Sequence, residues 1–185
     1  MQKKLAIEGG ERVIPSKIRL NNWPIITKED IYSIIEVIKQ EDLWGSEAKG
    51  VVGLEKEYAE YLNVKYCVAL NSGTAALHAA VSAIGIGPGD EVLVPALTFV
   101  ASATSVLHHQ KIPVFVDIDP NTFNIDPNQI EKKISEKTKA IIAVHYQGLP
   151  ADMDKISTIA QKYGLLVIED GAQAHGATYR GKKVG

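Results

Sequence analysis

The sequence predicts an α/β fold, a mostly parallel sheet lying between helices. From about residue 65 short apolar runs alternate with helical stretches, an order that implies crossover units and parallel strands covered on both faces. Boundary signals agree with it: Asp126-Pro127 sets an N-cap before a proline at the first helical position, and Gly164 stands where a helix must stop. No internal repeat or low-complexity tract interrupts the pattern.

The first 26 residues lack periodicity and contain Gly9-Gly10, Pro15 and Pro24, which reads as an extended arm. Thr27 has the position of a helix N-cap, with Glu29 and Asp30 in the first turn, where the helix dipole favours anions. Ile31, Ile34, Ile35 and Ile38 follow at helical spacing, and Trp44-Gly45-Ser46 breaks the helix. A second helix is expected near Leu54 to Leu62, with Glu55, Glu57 and Glu60 on its wet side. Tyr66 to Leu70 reads as a buried strand and Thr74 to Ile84 as a helix. Glu91 to Pro95 reads as a strand, Ala101 to His109 as a helix and Ile112 to Val116 as a strand. The helix opened by Asp126-Pro127 runs to about Ile134. Ala140 to Val144 is then a strand, Ala151 to Tyr163 a helix and Leu165 to Ile168 a strand.

Composition bounds the function classes. With 45% hydrophobic and 23% charged residues over 185 positions, the chain suits one sizeable domain, or a domain plus an arm. A formal net charge of -2 gives no basic footprint for nucleic acid and no pull toward anionic membranes. The single cysteine, Cys67, rules out an internal disulfide and reads as a packed core residue. No apolar h-region follows the basic start and no run has the roughly 18 apolar residues of a membrane span, so a cytoplasmic protein is expected.

In open α/β sheets ligands bind outside the carboxyl ends of the strands. Those ends carry Asn71-Ser72-Gly73-Thr74, Thr98-Phe99, Asp117, His145 and Glu169-Asp170. The turn at Gly73-Thr74 opens a helix whose free N–H groups suit a phosphate, although it serves equally as a plain N-cap. Phe99 could stack on a planar ring or fill core. His145 and His175 could do acid–base work or be structural, and His78, His108 and His109 receive no role. Asp170 ends an apolar run, where a carboxylate must be solvated, paired or holding a cation; a protonated pyridine nitrogen is one such cation. Gln173 stands three residues on, within reach of a ring substituent. Two other motifs fail. Gly85 to Asp90 has the wrong spacing and context for a dinucleotide loop, and Gly176 to Lys182 lacks the Ser or Thr of a phosphate loop, since Lys183 stands there.

Taken together, Asn71 to His78, Gly87 to Val92, Pro95 with Thr98 to Ala101, Pro113 to Asp117, Val144-His145, Asp152 to Asp154 and Glu169 to Gly176 resemble the DegT/StrS family of pyridoxal-phosphate (PLP) dependent sugar aminotransferases. The resemblance covers essentially the whole chain. It implies an aspartate aminotransferase-like, fold type I large domain, truncated, with residues 1–62 as arm and helices and 63–185 as the N-terminal part of the PLP-binding domain. It implies that Gly73, Thr74 and Ala75 hold the cofactor phosphate, Phe99 stacks on the pyridine ring, Asp170 binds the ring nitrogen and Gln173 contacts the ring hydroxyl side. Gly171 stands where the family varies most, and little effect is expected from it. Lys182 and Lys183 match the family's hairpin, so the Schiff-base lysine is expected beyond Gly185 and no catalytic residue or metal ligand is assigned within the chain. The full-length reaction implied moves an amino group from glutamate or glutamine to a keto group of a nucleotide-linked sugar or cyclitol, in a homodimer. The rivals are a dehydratase of the same family that uses pyridoxamine phosphate, and a non-catalytic regulator on the same scaffold.

Overall fold

The computed structural model describes residues 4–12, 14, 18 and 24–185. Much of the expected N-terminal arm, Pro15 included, lies outside the described residues. Inside them the arm holds a 3-10 turn, Ala6–Glu8, closed by Gly9 at φ 88°. By contacts the chain falls into two compact units, Met1–Gly50 and Val51–Gly185.

The first unit contains α1 (Lys28–Lys39). Thr27 caps it as expected: its hydroxyl accepts from the Asp30 N–H, and the Asp30 carboxylate accepts from the Thr27 N–H at 2.7 Å, a reciprocal capping box. The helix stops at Lys39, before the Trp44 turn. Its isoleucine stripe, Ile31, Ile34, Ile35 and Ile38, is exposed. α2 (Lys49–Leu62) starts five residues earlier than its expected start, with the Lys49 N–H held by Asp42 Oδ2 at 2.8 Å. Gly50 and Gly53 lie in that first stretch; glycine's poor helix propensity hides it from a pattern reading.

The second unit is built on four parallel strands, β1 (Glu91–Pro95), β2 (Ile112–Val116), β3 (Thr138–Val144) and β4 (Leu166–Asp170), in the order β2-β1-β3-β4. Side chains alternate between two cores. Val92, Val94, Ala140, Ile142, Val144 and Ile168 face α3 (Gly73–Ala83) and α4 (Ala101–His108). Leu93, Ile141 and Ala143 face α6 (Met153–Tyr163) and the short α5 (Pro127–Ile130), which continues as a 3-10 turn through Lys133. Burying each large aliphatic side chain contributes about 1.5–3 kcal/mol, which is what holds both helix layers to the sheet. Asp126 caps α5 and Asp152 caps α6, two residues later than the expected helix start. Gly164 ends α6 in the left-handed region at φ 65°. After β4 a hairpin pairs β5 (Thr178–Tyr179) with β6 (Lys182–Lys183) through Arg180-Gly181, both at positive φ.

The expected strand at Tyr66 to Leu70 is not formed. Tyr66 and Val68 are about three-quarters exposed, at 75% and 72%, and the segment joins no ladder among the described residues. A strand exists only with a hydrogen-bonding neighbour, and here the Ala69 N–H goes instead to Glu55 Oε1 at 2.8 Å. Cys67, read as core, is only half-buried.

β4 is paired on one side only among the described residues, and apolar Tyr66, Val68 and the α1 isoleucines are open to solvent. Unpaired edges and apolar patches of this kind associate. The 185-residue chain, purified alone, is expected to elute from size-exclusion chromatography ahead of a monomer and to bind anilinonaphthalene sulfonate. A monodisperse monomer with one sharp cooperative melt would contradict this.

Candidate functional site

The period of two along β4 decides what each side chain at its end can do. Ile168 enters the core under α3 and α4, so Asp170 falls on that face and Glu169 on the opposite one. The register pairs Val144 with Asp170 on the last rung of β3 and β4. Beyond this rung the two strands remain tied, because the His145 N–H donates to the Asp170 carbonyl at 3.1 Å.

Asp170 borders a cavity of about 520 Å3. Ser72 and Gly73 line it from the start of α3, Cys67 and Ala69 from the segment before, Leu54 and Tyr58 from α2, and Ala172 and His175 from the loop after β4. Among the described residues no lysine lines it. Three neutral donors and acceptors organise the carboxylate. The Ser102 hydroxyl donates to Oδ2 at 3.1 Å, the Ala172 N–H donates to Oδ1 at 3.2 Å, and the Thr98 hydroxyl lies 2.9 Å from that of Ser102. Among the described residues Asp170 forms no ion pair.

At the start of α3, Ser72 is the N-cap and its hydroxyl accepts from the Ala75 N–H at 3.1 Å. That bond engages one of the three residues expected to hold a phosphate. The Gly73 and Thr74 N–H groups belong to the first turn, which has no intrahelical acceptors to offer. Gly73 lines the cavity; Thr74, Ala75, Phe99 and Gln173 do not. Phe99 is 66% exposed in the loop between β1 and α4, next to Thr98. Gln173 turns toward the loop after β3, its Oε1 accepting from the Gln147 N–H at 2.8 Å.

Glu169 and His145 form a separate pair on the other face. The buried imidazole accepts at Nδ1 from the Ala151 N–H at 3.0 Å, so its proton sits on Nε2 and is donated to Glu169 Oε2 at 2.9 Å. The hydrogen bond from His145 holds the Glu169 carboxyl below the usual glutamate range, against the opposing effect of burial. His175 is tied to Tyr58, whose hydroxyl lies 2.8 Å from Nδ1. Burial, followed by the neighbouring Cys67 and Tyr61, pushes the Tyr58 hydroxyl up. Gly85 to Asp90 is a turn, with the Gly87 N–H held by Asp90 at 2.7 Å, and Gly176 to Lys182 leads into the hairpin. The sequence names Thr98 at a strand end without a role and gives Ser102 none; the signal available is two hydroxyls four residues apart where the loop enters α4.

The model of the DegT/DnrJ/EryC1/StrS aminotransferase family matches residues 24–185. The chain belongs to this family. GDP-perosamine synthase of Caulobacter vibrioides is 55% identical to this family member over 135 residues, 73% of the chain and 36% of the relative. L-glutamine:2-deoxy-scyllo-inosose aminotransferase of Streptomyces lividus is 40% identical over 193 residues, covering 100% of the chain and 44% of the relative. The solved aminotransferase from Psychrobacter cryohalolentis superposes with a TM-score of 0.84 at 43% identity, over 90% of this chain and 42% of that one. GDP-4-keto-6-deoxymannose-3-dehydratase, solved with a trapped PLP-glutamate geminal diamine, superposes with a TM-score of 0.74 at 28% identity, over 82% and 40% of the two chains. The chain thus spans less than half the length of these relatives and solved structures. They bear out the fold type I large domain read from the motifs, and they point to pyridoxal phosphate as cofactor. Among the described residues no helix is long and apolar enough to cross a membrane, and no cluster of His, Cys, Asp or Glu could hold a metal ion.

Glu169 contributes stability through a depressed folded-state pKa. That stability is present in full above the ordinary glutamate value of about 4.3 and is lost as pH falls through the lower folded value. Glu169→Gln is expected to cost about 1 kcal/mol at pH 7, after allowance for partial exposure, and to flatten the loss of stability below about pH 5. Urea midpoints of the two proteins at pH 7 and pH 4 check this.

Proposed function

We propose that this chain is the cofactor-binding part of a PLP-dependent aminotransferase. In this reading the full-length enzyme moves an amino group from glutamate or glutamine to a keto group of a nucleotide-linked sugar or cyclitol, as a homodimer. One observation carries the reading. Asp170 presents a carboxylate to an apolar-walled cavity, with neutral donors behind it and no cation paired to it among the described residues. A carboxylate so placed is complementary to a protonated pyridine nitrogen.

The other residues fit the same ligand. The cavity has the size of a small-molecule site, about 300–1,000 Å3. The first-turn N–H groups of Gly73 and Thr74 suit a dianionic phosphate, where the helix dipole adds to the hydrogen bonds. Ala75 would contribute through its backbone only after Ser72 releases it. The open Phe99 ring offers a stacking face, and Gln173 would reach the ring hydroxyl by turning from Gln147. Bound pyridoxal phosphate supplies an electron sink for bond breaking at the amino-acid carbon. This chain's residues would hold that sink in place: Asp170 keeps the proton at the ring nitrogen, the α3 turn neutralises the phosphate, and the apolar wall limits water. The amine that bonds covalently to the cofactor is assigned to a lysine beyond Gly185; among the described residues none lines the cavity.

A second reading, a sugar dehydratase using pyridoxamine phosphate, draws on the likeness to the solved dehydratase. Borohydride reduction of the full-length protein separates the two: cofactor fixed to the chain supports the aminotransferase, and cofactor that stays free supports the dehydratase. A full-length protein that takes up neither cofactor form would favour a non-catalytic role.

Pyridoxamine phosphate needs no lysine to bind, so calorimetry tests the site itself. Asp170→Asn is expected to weaken binding about 10- to 100-fold, the loss of one charged hydrogen bond. Unchanged affinity in the variant would sink the assignment of the ring nitrogen to Asp170.

A further inference from the structure

We propose that Ser102, backed by Thr98, is the positioning residue for Asp170: a one-way relay of two hydroxyls sets the plane in which the carboxylate meets a pyridine ring. The inference rests on the reading of Asp170 as the ring-nitrogen partner. Ser102 is wholly buried, on the first turn of α4, and its Oγ lies 3.1 Å from Asp170 Oδ2. A carboxylate only accepts, so the single Ser102 proton is committed to Asp170. The 2.9 Å contact between Ser102 Oγ and Thr98 Oγ1 then has one possible direction, with Thr98 donating. Both protons point the same way, toward Asp170.

The relay has a rigid base. Thr98 and Ser102 are joined by a tight turn in which the Ser102 N–H donates to the Phe99 carbonyl at 3.1 Å. Ser105 Oγ donates to the Ser102 carbonyl at 3.2 Å, and both serines are fully buried. On the other side the Ala172 N–H holds Oδ1. Each carboxylate oxygen therefore has one protein donor, which fixes the plane and leaves the remaining lone pairs for a ligand. Phe99 lies within the turn that spans the relay, so the loop offering an aromatic face and the hydroxyls orienting the carboxylate form one unit. Ser102 acts through Asp170 and touches no ligand.

The test compares two probes by calorimetry on the full-length protein: pyridoxamine phosphate, and its analogue with a C–H group in place of the ring nitrogen. Ser102→Ala is expected to weaken pyridoxamine phosphate about five-fold and to leave the analogue unchanged, because only the nitrogen senses the orientation of the carboxylate. Ser102→Thr, which keeps the hydroxyl, restores binding to within about two-fold. Thr98→Val gives a smaller loss, about two- to three-fold, again confined to pyridoxamine phosphate; it decides the matter if Ser102→Ala fails to fold. Equal losses for both probes, or no loss for either, would overturn the positioning role while leaving Asp170 in place. A wild-type chain that does not distinguish the probes would overturn the Asp170 reading, and this inference with it.

Discussion

The site depends on the register of β3 against β4. Ala143 lies opposite Glu169 and Val144 opposite Asp170, and the pairing is locked from both faces. Ile142 and Ile168 are buried under α3 and α4, while Ile141 and Ala143 are buried against α6. A slip of one residue would exchange these sets and send Asp170 to the wrong side of the sheet. Burial of the aliphatic side chains, several kcal/mol in total, thus fixes which of two adjacent carboxylates lies on the α3 and α4 face of the sheet.

That division gives the two carboxylates different work. Glu169 meets the N–H of a buried, neutral imidazole and spends its charge on holding β3, β4 and the Ala151 turn together. Asp170 meets a hydroxyl and a backbone N–H, both neutral, and borders an apolar cavity. Its charge is oriented without being neutralised by a protein cation among the described residues. The sheet supplies the placement and the loops supply the partners, which is how a fold common to many enzymes acquires a particular chemistry.

The strands with partners were legible in the sequence, because apolar alternation and short loops report burial on two faces: Glu91 to Pro95 and Ile112 to Val116 match in both bounds. Caps at Thr27, Asp126 and Gly164 were legible because their chemistry is local. Tyr66 to Leu70 misled because apolar composition says that a segment would gain from burial, and says nothing about whether a neighbouring strand exists to complete its ladder. Asp170 was legible as a carboxylate ending an apolar run. Ser102 was not, since a serine on a helix is ordinary until the fold brings it beside a residue 68 positions away.

The loop after β4 has to keep Asp170 oriented without a ladder to hold it. It is fastened at three points instead. Gln173 is bonded to the Gln147 N–H, His175 to the Tyr58 hydroxyl on α2, and Gly171 packs so closely on the backbone of Gly185 that a Cβ there would lie 2.8 Å from its Cα. The glycine at the position where the family varies most, from which little effect was expected, thus has a packing consequence. Lys183, over the Tyr61 ring, draws the hairpin to the same helix. Each fastening joins the loop to a different part of the second unit, so movement at one leaves the others holding. Two of them, at Gln173 and His175, are polar and exchangeable, whereas Ser102 behind Asp170 is fully buried. The loop can therefore adjust to a ligand's substituents while the carboxylate beneath it keeps its direction.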